Sequence, residues 1–181
     1  MSVRQHTGWL LDLYAVPQHG LTIWLLDEHS GERLQLKQDF PITFYAAGLS
    51  GQLRALWRFL EAQPVEVDLR REQRRDLFQP QPVDVLRIRV TQPAAQPRLF
   101  RHLVRQFPEL DYYDADLPLT LRHAAAHGTF PLVRCRVAAG VDGQVDEIEV
   151  LDSPWDMDPA DPPLRILSIE PDVDPSHGPP E

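Results

Sequence analysis

Cysteine is almost absent from this sequence, which has one, Cys135, among 181 residues. A single cysteine excludes an internal disulfide and a zinc site built from cysteines. Cys135 alternates with Val133 and Val137 in a stretch typical of a β-strand, so we expect a small core residue there and not a nucleophile.

Long hydrophobic runs are also absent. No stretch approaches the roughly 18 apolar residues that a membrane span needs, so we expect a soluble, cytoplasmic chain with no membrane partner. Hydrophobic residues still make up 43% of the sequence. This content suffices for a core, and the length gives room for one domain or slightly more.

Catalytic motifs are missing too. The glycines of "AAGLSGQ" lack the lysine of a phosphate-binding loop, and no Ser-His-Asp arrangement is recognisable. His123 and His127 lie four residues apart on a predicted helix, where two imidazoles can share a metal, but we interpret them as ordinary helix-surface histidines. The sequence therefore predicts no catalytic residue and no cofactor within this chain.

Charge is divided unevenly along the chain. The net charge is −9, which for the whole molecule argues against binding through nucleic-acid phosphates. Residues 70–105, however, contain nine arginines and three acidic residues, a net charge of +6, whereas residues 140–181 have a net charge of −11. The basic middle and the acidic end indicate two regions with different roles.

The pattern of apolar residues predicts an α+β fold. Residues 1–40 contain three short β-rich runs separated by the turn signals "PQHG" and "HSGE" and form a predicted β-meander. Residues 41–116 follow the order β-α-β-β-α-β, which is typical of a ferredoxin-like sheet covered by two helices on one face. Ser50 is the expected N-cap of the first helix, and a further helix completes a subdomain at 41–128.

The last third is predicted as a β-hairpin at 129–151 and an acidic, proline-rich linker at 152–181. The linker ends in "RILSIEPD", which resembles an opening strand. On such a strand Glu170 and Asp172, two residues apart, point to the same face and can share a divalent cation.

The order of these segments resembles the N-terminal domain of family B DNA polymerases, running into the first strand of their 3′-5′ exonuclease domain. The most specific stretch is "DADLPLTLRHAAAHG", in which Asp116, Leu117, Pro118 and Arg122 match the family pattern. The stretch "ILSIEPD" is similar to the exonuclease strand, whose metal-binding pattern is Asp-x-Glu. Here Glu170 and Asp172 occupy those two places in the reverse order, with proline between them.

This resemblance implies a structural, template-contacting domain that is inactive alone, in a parent DNA-directed DNA polymerase of replication or repair that uses Mg²⁺. Its partners would be single-stranded or template DNA and the remaining polymerase domains in the same chain. The family's pocket for template bases would be formed here by Tyr14, Ile42, Gln96, Pro97, Leu117, Leu119 and Arg122. Gln96 stands where archaeal relatives have a small apolar residue, so we expect recognition of deaminated bases to be lost.

DNA phosphates would contact arginines of the basic segment, namely Arg70, Arg71, Arg87, Arg89, Arg101 and Arg105. Phe44, Tyr45, Tyr112 and Tyr113 are the aromatic residues that could stack on bases.

Two other interpretations stay open. One is a free-standing ferredoxin-like module that binds nucleic acid or another ligand without catalysis, although "VDVLRIRV" lacks the aromatic residues that RNA-recognition modules use. The other is a small metal-dependent nuclease using Glu170 and Asp172, for which no further acidic ligands are evident.

Overall fold

A computed structural model of the chain describes residues 3–16, 20–75, 80–153, 155–165 and 167–168. Within these ranges the elements, in chain order, are β1 (Val3–Val16), β2 (Gly20–Asp27), β3 (Arg33–Gln38), β4 (Ile42–Ala47), α1 (Ser50–Glu61), β5 (Val67–Arg75), β6 (Pro82–Val90), α2 (Gln96–Gln106), β7 (Asp111–Tyr113), α3 (Leu119–His127), β8 (Arg134–Gly140) and β9 (Val145–Val150).

Five strands form an antiparallel sheet in the order β3-β2-β1-β8-β9. The predicted meander and the predicted hairpin, about a hundred residues apart in sequence, thus belong to one sheet. β1 makes this possible because its first half pairs with β8 and its second half with β2. The edge strands β3 and β9 approach each other where the Lys37 N–H donates to the Gly143 carbonyl at 2.9 Å, so the sheet curls around its own apolar core.

The other four strands form an antiparallel sheet in the order β5-β6-β4-β7. This is the strand order of a ferredoxin-like fold, and α1 and α2 pack together on one face of the sheet. Leu56 of α1 and Leu103 of α2 are fully buried against Phe44 and Ile88 of the sheet. The predicted α+β class is therefore confirmed.

β5 continues to Arg75 because it stays paired with β6 along its whole length, up to Arg75 opposite Pro82. One local prediction needs correction. The N-cap of α1 is Leu49, one residue before the predicted Ser50. The Gln52 side chain accepts a hydrogen bond from the Leu49 backbone N–H at 2.8 Å. This is the N3 half of a capping box, in which the side chain of the third helical residue satisfies the N-cap backbone N–H.

Helix α3 lies between the two sheets. It ends at Gly128, whose φ of 72° is the left-handed conformation that a helix terminus commonly requires. Leu119 of α3 packs in a small cluster with Leu21 of β2 and Ile42 of β4. This cluster joins the five-stranded and four-stranded sheets.

The acidic linker has no regular secondary structure in its described part. It contacts the first sheet where the Trp9 indole N–H donates to the Ala160 carbonyl at 2.9 Å. Of the predicted strand at 165–172, the structure describes Arg165, Leu167 and Ser168, none of which is in a strand. Glu170 and Asp172 lie outside the described residues.

Candidate nucleic-acid interface

The four-stranded sheet has two chemically different faces, as the alternation along β6 shows. Leu86, Ile88 and Val90 are buried beneath the helices. Arg87 and Arg89 alternate with them and therefore lie on the opposite face, which we call the open face. The open face is the part of this sheet that α1 and α2 leave uncovered.

A network of ion pairs orders the open face. Arg87 Nη2 lies 2.6 Å from Asp68 Oδ2, and Arg87 Nη1 lies 3.3 Å from Glu72 Oε1. Glu72 also binds Arg74 at 2.6 Å. The Arg87 side chain is only 18% exposed, so this guanidinium is held in one orientation between two carboxylates. The Arg87 Nε atom is buried and has no acceptor among the described residues.

Two tyrosines lie opposite each other on the same face, Tyr45 on β4 and Tyr113 on β7. The Arg74 guanidinium carbon is 5.1 Å from the centroid of the Tyr45 ring, and Arg74 Nη2 donates to the Tyr45 hydroxyl at 3.3 Å. This geometry is that of a cation–π contact. Arg74 therefore occupies a ring face that a planar ligand would also use.

The other two aromatic candidates for base stacking point toward the helices. Phe44 is fully buried, and its ring meets that of Phe100 edge-on with centroids 5.7 Å apart. The Tyr112 hydroxyl donates to the Phe107 carbonyl at 3.2 Å. Burial, with the nearby Glu109, raises the Tyr112 pKa to about 12. Neither ring is available on the open face.

The six arginines predicted for DNA phosphates do not share one surface. Arg70, Arg87 and Arg89 lie on the open face, as their alternation with buried neighbours requires. Arg71 points to the helix side, where it pairs with Asp84 at 2.5 Å and lowers the pKa of that carboxyl group. The remaining two, Arg101 and Arg105, are exposed on α2. The structure thus brings three of the six together.

A cleft of about 410 Å³ opens where the open face meets the β3–β4 connection and the end of α3. We call it the arginine cleft. Its walls include Phe40, Tyr45, Arg74, Arg87, Arg89 and His127. Arg89 is exposed and has no ion-pair or hydrogen-bond partner among the residues that the structure describes.

The predicted template-base pocket is brought together only in part. Ile42 and Leu119 are in contact within the cluster that joins the sheets. The strand β1 contributes Leu13 to this cluster, so its neighbour Tyr14 points to the other side of the strand, where its hydroxyl accepts a 3.4 Å hydrogen bond from the Trp24 indole. Tyr14 is thus separated from Ile42 and Leu119.

Arg122 has a structural role at this pocket. Its Nη1 donates to the Thr43 carbonyl at 2.5 Å and its Nε to the Leu117 carbonyl at 3.0 Å, so it ties α3 to β4. Burial lowers the Arg122 pKa, while Asp114 and Asp116 act in the opposite direction. Its side chain therefore stabilises the junction between the sheets.

Gln96 is buried, and its amide donates to the Ala115 carbonyl at 2.9 Å. The amide is thus engaged by the loop that precedes α3. Pro97 and Leu117 are exposed. Of these three predicted pocket residues, only Gln96 is enclosed by the fold.

The interpretation of His123 as a surface residue is wrong. His123 is fully buried, with Nδ1 2.9 Å from Thr129 Oγ1 and Nε2 2.8 Å from Gln38 Oε1. Burial, and secondarily His127, lowers the His123 pKa to about 4. The available signal was its position one helical turn after Leu119, on the buried side of α3. Its partners could not be foreseen because Gln38 is 85 residues away.

Cys135 is fully buried in the core of the five-stranded sheet, and burial raises its pKa to about 12. This confirms the small core residue expected from the sequence. The described residues contain no group of three or more His, Cys, Asp or Glu side chains that could hold a metal ion. None of the helices in the described ranges is long and apolar enough to cross a membrane.

The chain has an α+β architecture. A curled five-stranded sheet is joined by a third helix to a ferredoxin-like subdomain. No sequence model of a known protein family matches the chain, and no curated protein sequence matches it. Among solved structures, the fold is similar to the family B DNA polymerase from the hyperthermophilic archaeon Pyrobaculum calidifontis. The TM-score is 0.59 and the sequence identity 23%, over 81% of this chain and 21% of the polymerase chain.

This similarity confirms, at the level of the fold, the resemblance to family B DNA polymerases predicted from the sequence. The chain spans about a fifth of the length of the polymerase that it matches.

Proposed function

We propose that this chain is the N-terminal domain of a family B DNA polymerase, acting in DNA replication or repair, and that it contacts single-stranded template DNA. The observation that carries the proposal is the agreement between two independent signals. The motifs "FPITFYA" and "DADLPLTLRHAAAHG" resemble this family, and the fold that they build matches a member of it over 81% of the chain.

In this proposal the chain has no catalytic residue of its own. The remaining polymerase domains, in the same polypeptide, would supply the catalytic carboxylates and use Mg²⁺ for nucleotidyl transfer in the cytoplasm. The carboxylates Glu170 and Asp172 would belong to the first strand of an exonuclease-like domain. Their reversed order and the intervening Pro171 lead us to expect weak or absent proofreading at that site.

Template contact is proposed for the open face. Arg70, Arg87 and Arg89 lie there together, and Tyr45 and Tyr113 lie beside them. Proteins usually bind single-stranded DNA with cationic side chains that lie along the DNA backbone and aromatic rings that stack on its bases. Arg101 and Arg105, on the far side of the helices, would contact a strand only if it left the open face.

Binding of single-stranded DNA at several salt concentrations tests the contact. The logarithm of the affinity should fall with the logarithm of the salt concentration with a slope of about −2, because each of three phosphate contacts contributes about −0.7 on a single strand. A slope near zero would show that the arginines do not touch phosphates.

Recognition of deaminated bases is expected to be absent, because a long amide side chain stands at position 96 and is buried, donating to the Ala115 carbonyl. Single strands with and without uracil should therefore bind equally well. A clear preference for the uracil strand would refute this part of the proposal.

The alternative, a free-standing ferredoxin-like binding module, differs in one simple observation. A reading frame that continues past Glu181 into exonuclease and polymerase domains would exclude it. A stop codon directly after Glu181 would instead contradict the polymerase proposal.

A further inference from the structure

The arginine cleft has the dimensions of a small-ligand site. Its volume of about 410 Å³ falls within the roughly 300–1,000 Å³ of typical ligand pockets. A single nucleotide is of the right size for such a cleft, whereas a folded protein partner is too large to enter it. The cleft is therefore the part of the open face that is concave enough to hold a small ligand.

Three arginines line the cleft against one carboxylate, Asp39, so its charges suit a phosphate. Asp68 and Glu72 hold the terminal nitrogens of Arg87, whereas Arg87 Nε is buried without an acceptor in the described part of the chain. Arg89, next on the same face, has no carboxylate partner within the described ranges. A guanidinium without a partner is well suited to phosphate oxygens.

Its rings suit a base. The Tyr45 ring lines the cleft together with Phe40 and His127. Arg74 lies over Tyr45 with its guanidinium carbon 5.1 Å from the ring centroid, and its side chain is 54% exposed. A planar cation that covers an aromatic ring and remains open to solvent can be displaced by another planar group. Arg74 thus marks the place where a base would stack.

We propose that the arginine cleft binds one nucleotide of a single DNA strand, with its phosphate at Arg89 and its base stacked on Tyr45 in place of Arg74. This proposal rests on the proposed function and deepens it, since it assigns one nucleotide to one site. It also predicts that Arg89 contributes more to DNA binding than an exposed arginine outside the cleft, although both carry the same charge.

The test is the binding of a short fluorescent single strand to the whole chain, with Arg89→Ala compared with Arg98→Ala. Both substitutions remove an exposed arginine that has no ion pair within the described ranges, but Arg98 lies on α2, outside the cleft. Loss of a charged hydrogen bond predicts about tenfold weaker binding for Arg89→Ala, with a salt slope reduced by about 0.7. Arg98→Ala should bind as the unmodified chain does.

The ring is tested by Tyr45→Leu, which keeps an apolar side chain on β4 but removes the aromatic face. Stacking predicts about a tenfold loss of affinity, with the salt slope unchanged because no phosphate contact is lost. Equal unfolding midpoints for all variants establish that each is folded. Arg89→Lys should restore part of the affinity through its charge.

Three results would overturn the proposal. If Arg89→Ala and Tyr45→Leu bind the strand as tightly as the unmodified chain, the cleft is not the site, while template contact elsewhere stands. If an acidic peptide of equal charge binds as tightly as the strand, the cleft selects charge and not a nucleotide. If the unmodified chain binds no strand at low salt, the proposed template contact fails as well.

Discussion

The two faces of the four-stranded sheet are made by the same strands but perform different tasks. Toward the helices, β6 presents Leu86, Ile88 and Val90, all buried. Toward the open side it presents Arg87 and Arg89, which take part in ion pairs or face the arginine cleft. The difference shows how a strand with a period of two can build a core with one set of residues and a candidate binding surface with the other. The two faces should therefore respond differently to substitution.

The largest effect is expected on the helix-covered face. Phe44→Ala removes a fully buried ring that contacts Phe100 and should lower the free energy of unfolding by about 3–5 kcal/mol. Urea unfolding measures the loss. The matched control is Thr43→Ala, the preceding residue of β4, whose side chain lies on the other face and should cost less than about 1 kcal/mol. Equal losses would remove the distinction between the faces.

The next largest effect is expected in the region that joins the sheets, where the buried His123 should make the stability of the protein depend on pH. The unfolded chain protonates His123 near pH 6.5, but the folded protein protonates it only near pH 4. Between these values the unfolded state binds more protons, so stability decreases as the pH falls from 6.5 to 4, by up to about 3 kcal/mol. Burial also lowers the His127 pKa, which acts in the same direction.

Urea unfolding at pH 7.0 and pH 4.5 measures this dependence. His123→Gln should abolish most of the difference between the two pH values, whereas His29→Gln, an exposed residue after β2, should leave it unchanged. Parallel behaviour of His123→Gln and the unmodified chain would show that another group controls acid stability.

The sequence predicted which residues of β6 alternate between the two faces, but it did not predict the contacts that those residues make with distant parts of the chain. The pattern of "VDVLRIRV" identifies two sets of residues on β6, and the order β-α-β-β-α-β identifies the sheet. Arg70 and Arg71 separate because β5 extends through both and adjacent strand residues point to opposite faces, whereas the pairing of Arg70 with Arg87 depends on strand register and needed the structure. Hydrogen bonds between distant residues were equally inaccessible, because nothing local distinguishes Gln38 as the partner of His123.

Substitution of the half-buried Arg87 on the open face should lower the free energy of unfolding by a moderate amount. Arg87→Ala leaves Asp68 and Glu72 without their shared partner and should lower the free energy of unfolding by about 1–2 kcal/mol, between the values for exposed and fully buried pairs. The loss should persist in part at 1 M salt, because partly buried pairs are screened less. A loss below about 0.5 kcal/mol would show that the network contributes no more to stability than exposed ion pairs do.

The smallest effect is expected for Arg70, which shares Asp68 with Arg87 but lies at the surface. Arg70 Nε is 3.7 Å from Asp68 Oδ2, and the Arg70 side chain is 65% exposed. Exposed pairs contribute about 0–1 kcal/mol, so Arg70→Ala should change the free energy of unfolding by less than about 0.5 kcal/mol. Urea unfolding of Arg70→Ala, Arg87→Ala and the double variant forms a cycle. The two losses should not add, because removing Arg87 leaves Asp68 to Arg70 alone and strengthens that pair. Strict additivity would show that the two arginines act independently on the open face.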